Sequence, residues 1–173
     1  MARVDPTIEY EKDLWAQGAR IVAGVDEAGR GAWAGPVFAA AVVLPTDERV
    51  CDLLRGVRDS KQMTPLQRER WQGCIQSAAV AWAVASASSE EIDQLGILPA
   101  TCLAMQRAVQ ELRNPPQHLL VDYVRIPGCG APQTALPKGD CVCLSIAAAS
   151  VLAKTARDAH MRALDAQYPG YGF

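Results

Sequence analysis

Ile21-Val22-Ala23-Gly24-Val25-Asp26-Glu27-Ala28-Gly29-Arg30-Gly31-Ala32-Trp33-Ala34-Gly35-Pro36-Val37-Phe38-Ala39-Ala40-Ala41-Val42-Val43-Leu44 is the stretch on which the fold turns. Two short apolar runs, 21–25 and 37–44, flank a loop with glycines at 29, 31 and 35, and this predicts two sequential strands pairing as neighbours. Asp26 and Glu27 then stand at the mouth of that hairpin. Beyond it, Thr64-Pro65-Leu66-Gln67 supplies an N-cap, a proline at the first helical position and a glutamine closing a capping box, so a helix is expected over 65–77. A third strand is expected over 79–86. Ser88 and Glu91 form a second capping box, and apolar residues at helical spacing run to Pro115-Pro116, with breaks expected near Gly96 and Pro99. Residues 118–121 read as a fourth strand ending at Asp122, and 145–163 as a long helix following Asp140. Alternating strand-like and helix-like stretches predict a layered α/β fold.

The chain has 173 residues, 50% of them hydrophobic and 21% charged, which fits one folded domain and excludes a disordered protein. No uncharged apolar run reaches bilayer-spanning length. The net charge of −2 provides no overall positive field, so nucleic-acid binding would need a local basic patch. Met1-Ala2-Arg3-Val4-Asp5-Pro6 lacks the positive start and apolar core of a secretory leader, so a cytoplasmic protein is expected. The six cysteines contain no CxxC pair and are expected to be free, mostly buried thiols. Cys141 and Cys143, with no histidine beside them, amount to half a soft-metal site.

The chemistry lies at the ends of the predicted elements. If the first and fourth strands are neighbours, Asp26, Glu27, Asp122 and Asp140 converge at one edge of the sheet, where α/β sheets place their ligands. Four carboxylates within a few ångström raise one another's pKa unless a counter-charge is present. Oxygen-only ligation favours Mg²⁺ or Mn²⁺, and shared carboxylates suit a two-metal site. Such paired ions suit phosphoryl-transfer chemistry. Each acid taken singly also reads as a strand-end or cap residue. Gly29-Arg30-Gly31 can bring backbone N–H groups and a forked guanidinium to phosphate, although such a loop alone is an ordinary turn. Lys61, in the polar link Asp59-Ser60-Lys61, and Lys154 with Arg157 on one face of the last helix can add to a local positive patch, or simply be solvated. A non-catalytic nucleic-acid-binding module and a metal-free hydrolase with two carboxylates remain as alternatives.

Gly24 to Gly31 followed by Gly35-Pro36-Val37 resembles the signature of type 2 ribonucleases H, the ribonuclease HII family. Asp59-Ser60-Lys61, Ile92-Asp93, Ile97-Leu98, Ala100-Thr101, Ala104-Met105, Val121-Asp122, Lys138-Gly139-Asp140 and Ser145 to Lys154 are similar to further family motifs in order and spacing, over nearly the whole chain. The resemblance implies a ribonuclease H-like three-layer fold, a mixed central sheet with helices on both faces, forming a single catalytic domain over 1–173. It implies hydrolysis of the phosphodiester on the 5′ side of ribonucleotides, in RNA/DNA hybrids and in duplex DNA, leaving a 3′-hydroxyl and a 5′-phosphate. Asp26, Glu27, Asp122 and Asp140 are implied to hold the metals, and Gly29, Arg30 and Gly31 to recognise the ribose 2′-OH, the group that distinguishes RNA from DNA. A monomer is expected.

The chain departs from the pattern at several points. Ala32 and Trp33 replace a usual proline and leucine, Tyr123 stands where a glycine commonly follows the aspartate, and Gly96 stands where asparagine is frequent. The last residues, Tyr168 to Phe173, match a string that in the family is followed by a Lys-Gly-Tyr segment and a helical tail. A chain lacking that tail is expected to keep its metal site while losing junction selectivity and turnover.

Overall fold

The computed structural model describes residues 5–173; the reading of Met1 to Val4 lies outside them. The predicted hairpin is present as β1 (Val22–Ala28) and β2 (Val37–Val43), paired antiparallel, with Val25 opposite Ala41. β3 (Ala81–Ala87) pairs antiparallel with β2, while β4 (His118–Asp122) and β5 (Gln133–Leu136) extend the sheet in parallel from β1. The order is β3-β2-β1-β4-β5, a mixed sheet. The prediction that the first and fourth strands are neighbours therefore holds. One expectation fails: β1 runs on to Ala28, so Asp26 and Glu27 lie inside the strand rather than at its end. Ladder pairs to Ala40 and Ala39 carry the backbone through them.

The helices are α1 (Glu9–Ala16), α2 (Val50–Leu53), α3 (Pro65–Ala78), α4 (Ser89–Leu95), α5 (Ile97–Gln110), α6 (Gly139–Val142) and α7 (Leu144–Gln167). Both capping boxes form, Thr64 with Gln67 and Ser88 with Glu91. The break between α4 and α5 falls at Gly96, whose φ of +82° is open to glycine at little cost, while Pro99 sits within the first turn of α5, where its missing N–H has no helical partner to lose. α1 and β5 are additions that the sequence reading did not contain. Cysteines are free, as expected, but only Cys143 is buried; Cys74 is exposed and the other four are half-buried.

Alternation along β1 divides the core between the two faces of the sheet. Val22 and Ala28 join Ile146, Ala149 and Leu152 of α7 on one side, and Ala23 and Val25 join Ala104 and Met105 of α5 on the other. A helix layer, the sheet and a second helix layer make the three-layer ribonuclease H-like fold. α7 is apolar on every side from Ile146 to Ala149 because it is buried at its N-terminal half, and its small residues let it lie close to β1. Gly24 marks the closest approach: a Cβ there would collide with the backbone of Ser145 and Ile146. Since backbone cannot rotate away as a side chain can, Gly24→Ala is expected to cost about 3 kcal/mol of unfolding free energy, measured by urea denaturation.

Candidate active site

The register places the acids. β1 and β4 pair in parallel from Val22↔His118 to Val25↔Val121, so Asp26 and Asp122 are the next residues on adjacent strands, and alternation turns both toward the α7 face. Asp26 is 4% exposed and accepts a hydrogen bond from the Glu27 N–H at 2.7 Å. Asp122 accepts one from the Gly139 N–H at 2.6 Å, which ties β4 to the first turn of α6 and so fixes Asp140 beside it. Carboxylate oxygens of Asp26, Glu27 and Asp122 lie within 4.8 Å of one another. Asp140 groups more closely with Asp59 and Cys141, again within 4.8 Å. The four predicted acids thus form a trio and a neighbour, and Asp59 is a fifth acid at the site.

Burial and mutual repulsion raise the proton affinity of the whole group. Asp26 is pushed well above the ordinary aspartate range, first by burial and then by Glu27 and Asp122. Burial raises Glu27 and Asp122 as well, against the opposing pull of Arg30 and Lys61. Asp140 rises to about 6, through burial and then the charges of Asp59 and Asp122. Part of the counter-charge expected from cations is therefore supplied by the protein: Arg30 Nη1 lies 3.2 Å from Glu27 Oε1. At Lys61, burial opposes the charge, but the attraction of Asp59, Asp26, Asp140 and Glu27 outweighs it and raises the ammonium pKa. Glu27 Oε2 is buried with no hydrogen-bond partner, as a carboxylate oxygen reserved for a ligand would be. With oxygen donors in the trio, raised pKa values and this orphaned atom, the residues fit hard divalent cations.

The two thiols are placed differently: Cys141 Sγ lies within 4.8 Å of carboxylate oxygens of Asp59 and Asp140, and burial followed by Asp140 raises its pKa to about 11, whereas Cys143 donates to Glu11 Oε1 at 3.2 Å.

A cleft of about 460 Å³ adjoins the trio, lined by Glu27, the Gly29–Gly31 loop, Lys61, Lys154 and Arg157. All six predicted substrate-contacting residues therefore border one space. Arg157 is placed differently from a free surface cation: it is 9% exposed, donates to Ala34 O at 2.9 Å and Pro36 O at 3.2 Å, and packs where a Cβ on Gly29 would be. It anchors the glycine loop from behind. Gly29, at φ +106°, is thus constrained both by its backbone and by Arg157. Tyr123, where glycine is commoner, adopts φ +61° and lays its ring 5.4 Å from the Arg30 guanidinium. The left-handed backbone explains the glycine preference, and the ring gives this chain an extra hold on Arg30.

The comparisons agree with this geometry. A family model for ribonuclease HII matches residues 23–173. Ribonuclease HII of Roseiflexus castenholzii is 55% identical over 171 residues, covering 97% of this chain and 75% of that protein. Its counterpart in Synechococcus is 52% identical over 170 residues, covering 98% and 76%. Among solved structures, ribonuclease H2 from Pyrococcus horikoshii aligns with a TM-score of 0.74 at 32% identity, over 88% of this chain and 80% of that one. RNase HII of Archaeoglobus fulgidus, solved as a complex with PCNA, aligns with a TM-score of 0.74 at 26% identity, over the same shares of the two chains. Fold and acid cluster together define a metal-dependent nuclease of the ribonuclease H-like class. The chain belongs to the ribonuclease HII family, and it is an endoribonuclease that hydrolyses RNA.

Two measurements check the site without relying on activity. Because the folded-state pKa of Asp140 is raised from 3.8 to about 6, the native protein binds more protons than the unfolded chain between those values, so this group's stabilisation is present at low pH and lost as pH rises toward 6. In metal-free protein, Asp140→Asn should therefore gain stability over the wild type progressively from pH 4 to 7, reaching roughly 1–3 kcal/mol, as read by thermal unfolding across pH. At position 123 the ordinary helix-and-strand order reverses: Tyr123→Gly should be about 1 kcal/mol more stable than Tyr123→Ala in denaturant unfolding, since only glycine relaxes in that backbone conformation.

Proposed function

We propose that the protein cleaves the phosphodiester on the 5′ side of ribonucleotides, both in RNA/DNA hybrids and at single ribonucleotides in duplex DNA, leaving a 3′-hydroxyl and a 5′-phosphate. The observation that carries this is the placement of the glycine-arginine loop and two lysines around one cleft that Glu27, a member of the carboxylate trio, also lines. Asp26, Glu27, Asp122 and Asp140 would hold two cations, Mg²⁺ or Mn²⁺. Such ions, when bound, supply a nucleophilic water at neutral pH and compensation for charge on the leaving oxygen.

The protein's own part is positioning and electrostatics, which carry most of the rate in phosphoryl transfer. Arg30, steadied by Tyr123 and by the Arg157-anchored loop, presents a planar donor fork at the cleft, and the loop's backbone N–H groups at Gly29 and Gly31 are donors for a sugar hydroxyl there. A bond to the 2′-OH from this loop would select ribose over deoxyribose. Lys61 and Lys154 meet backbone phosphates as point charges. Glu27, already ion-paired through one oxygen with Arg30, links recognition to the acid cluster. The same reading takes the chain as a single catalytic domain acting as a cytoplasmic monomer, and its six free cysteines suit a reducing compartment.

The test is a DNA duplex carrying one ribonucleotide, incubated with Mg²⁺, Mn²⁺ or EDTA and mapped to the nucleotide. A nick on the 5′ side of the ribonucleotide, dependent on divalent ions, is expected. Asp26→Asn should lower turnover by at least about 10³-fold while binding to the duplex persists, since it removes a charge that matters most where transition-state charge develops. Near wild-type turnover in that variant would refute the acid assignment.

A further inference from the structure

Arg68 of α3 is 7% exposed and does not itself line the cleft, yet its three hydrogen bonds go to the elements that carry the cleft lysines. Its Nη1 donates to Ser60 O at 3.1 Å and Met63 O at 2.6 Å, the two ends of the short turn that holds Lys61. Its Nη2 donates to Asp158 Oδ2 at 2.7 Å, and the other oxygen of Asp158 accepts from Lys154 Nζ, one turn earlier on α7. The same turn is fastened to α7 a second time, through Ser60 Oγ and Ser150 Oγ at 2.9 Å. A continuous polar chain thus runs from Lys61's turn through Arg68 and Asp158 to Lys154.

We infer that Arg68 and Asp158 are positioning residues for substrate binding, holding Lys61 and Lys154 at a fixed spacing so that successive phosphates of a nucleic-acid backbone meet both. This rests on the proposed role of the two lysines as phosphate contacts. The physical gain is entropic. A free lysine on a surface samples many rotamers and loses them on binding; one already held by a carboxylate loses fewer when a phosphate arrives. Asp158 suits this purpose because it is itself fixed by a buried arginine, so it restrains Lys154 instead of moving with it. Its charge is shared between two cations and leaves the pair with net positive charge toward the cleft. The network ends on an ammonium that lines the cleft, where a held charge can meet a phosphate.

The test measures cleavage of the single-ribonucleotide duplex by Asp158→Asn, Lys154→Ala and the double variant, over a series of salt concentrations. Asp158→Asn keeps the shape of the side chain and leaves Arg68 bonded to Ser60 and Met63, so the fold survives even if Arg68 variants do not. Lys154→Ala is expected to raise KM about ten-fold, the worth of one charged hydrogen bond, and to reduce the salt slope of KM by about 0.9. Asp158→Asn should raise KM several-fold and more than it lowers kcat, with a reduced salt slope, and should add nothing further in the Lys154→Ala background. If Lys154→Ala raises KM while Asp158→Asn leaves KM and salt slope unchanged, or if the two effects simply multiply, the positioning role is overturned. If Lys154→Ala itself changes neither quantity, the phosphate-contact role of Lys154 falls first and this inference falls with it.

Discussion

Gly24 has no side chain because a helix passes where one would be, and that close contact between β1 and α7 governs the rest of the molecule. α7 is not just one layer of the sandwich. Along its length it holds Ser145 over Gly24, Ser150 against the turn of Lys61, Lys154 at the cleft, Arg157 behind the glycine loop and Asp158 against Arg68. If α7 stood a side chain further from the sheet, each of these groups would be displaced by an ångström or more, enough to spoil a charged site that works by positioning.

The acid cluster shows why such a rigid frame is needed. Carboxylates that are buried together resist ionisation and would relax apart if the backbone allowed it. Here Asp26 and Asp122 lie on adjacent strands locked in register, and the bond from Gly139 N–H to Asp122 prevents the α6 turn from withdrawing. Arg30 and Lys61 take up some of the repulsion without matching the charge of the group. The fold stores an electrostatic deficit of the kind that a bound cation would relieve.

Much of this was legible in the sequence because it is written locally. The two capping boxes need residues three apart, the hairpin needs two apolar runs and a glycine loop, and the helix break needs a residue that tolerates a left-handed backbone, as Gly96 does. The elements that were not legible owe their existence to distant partners. α1 is short and polar, and stays because Glu11 buries itself to accept from the Ser145 N–H at 2.8 Å. β5 has four residues, with prolines on both sides at 132 and 137, and is a strand only because β4 pairs with it. Asp59 read as part of a polar link, since nothing in its neighbours signals that the turn brings it beside Asp140. Arg157 read as a surface cation because helical spacing gives the face of a side chain and not the carbonyls it will meet.

The bond between Glu11 and Ser145 spans 134 residues and carries a temporal consequence. A chain leaving the ribosome can pair β1 with β2 early, since they are separated by one loop, and can add β3 and α5 soon after. The other face of that sheet, with Val22, Val42 and Leu120, remains uncovered until residues 144–167 have emerged to lie across it. Only then do Asp140, Lys154 and Arg157 take their places. The proposed cation site and the proposed nucleic-acid contacts therefore come together only once α7 has docked on the sheet.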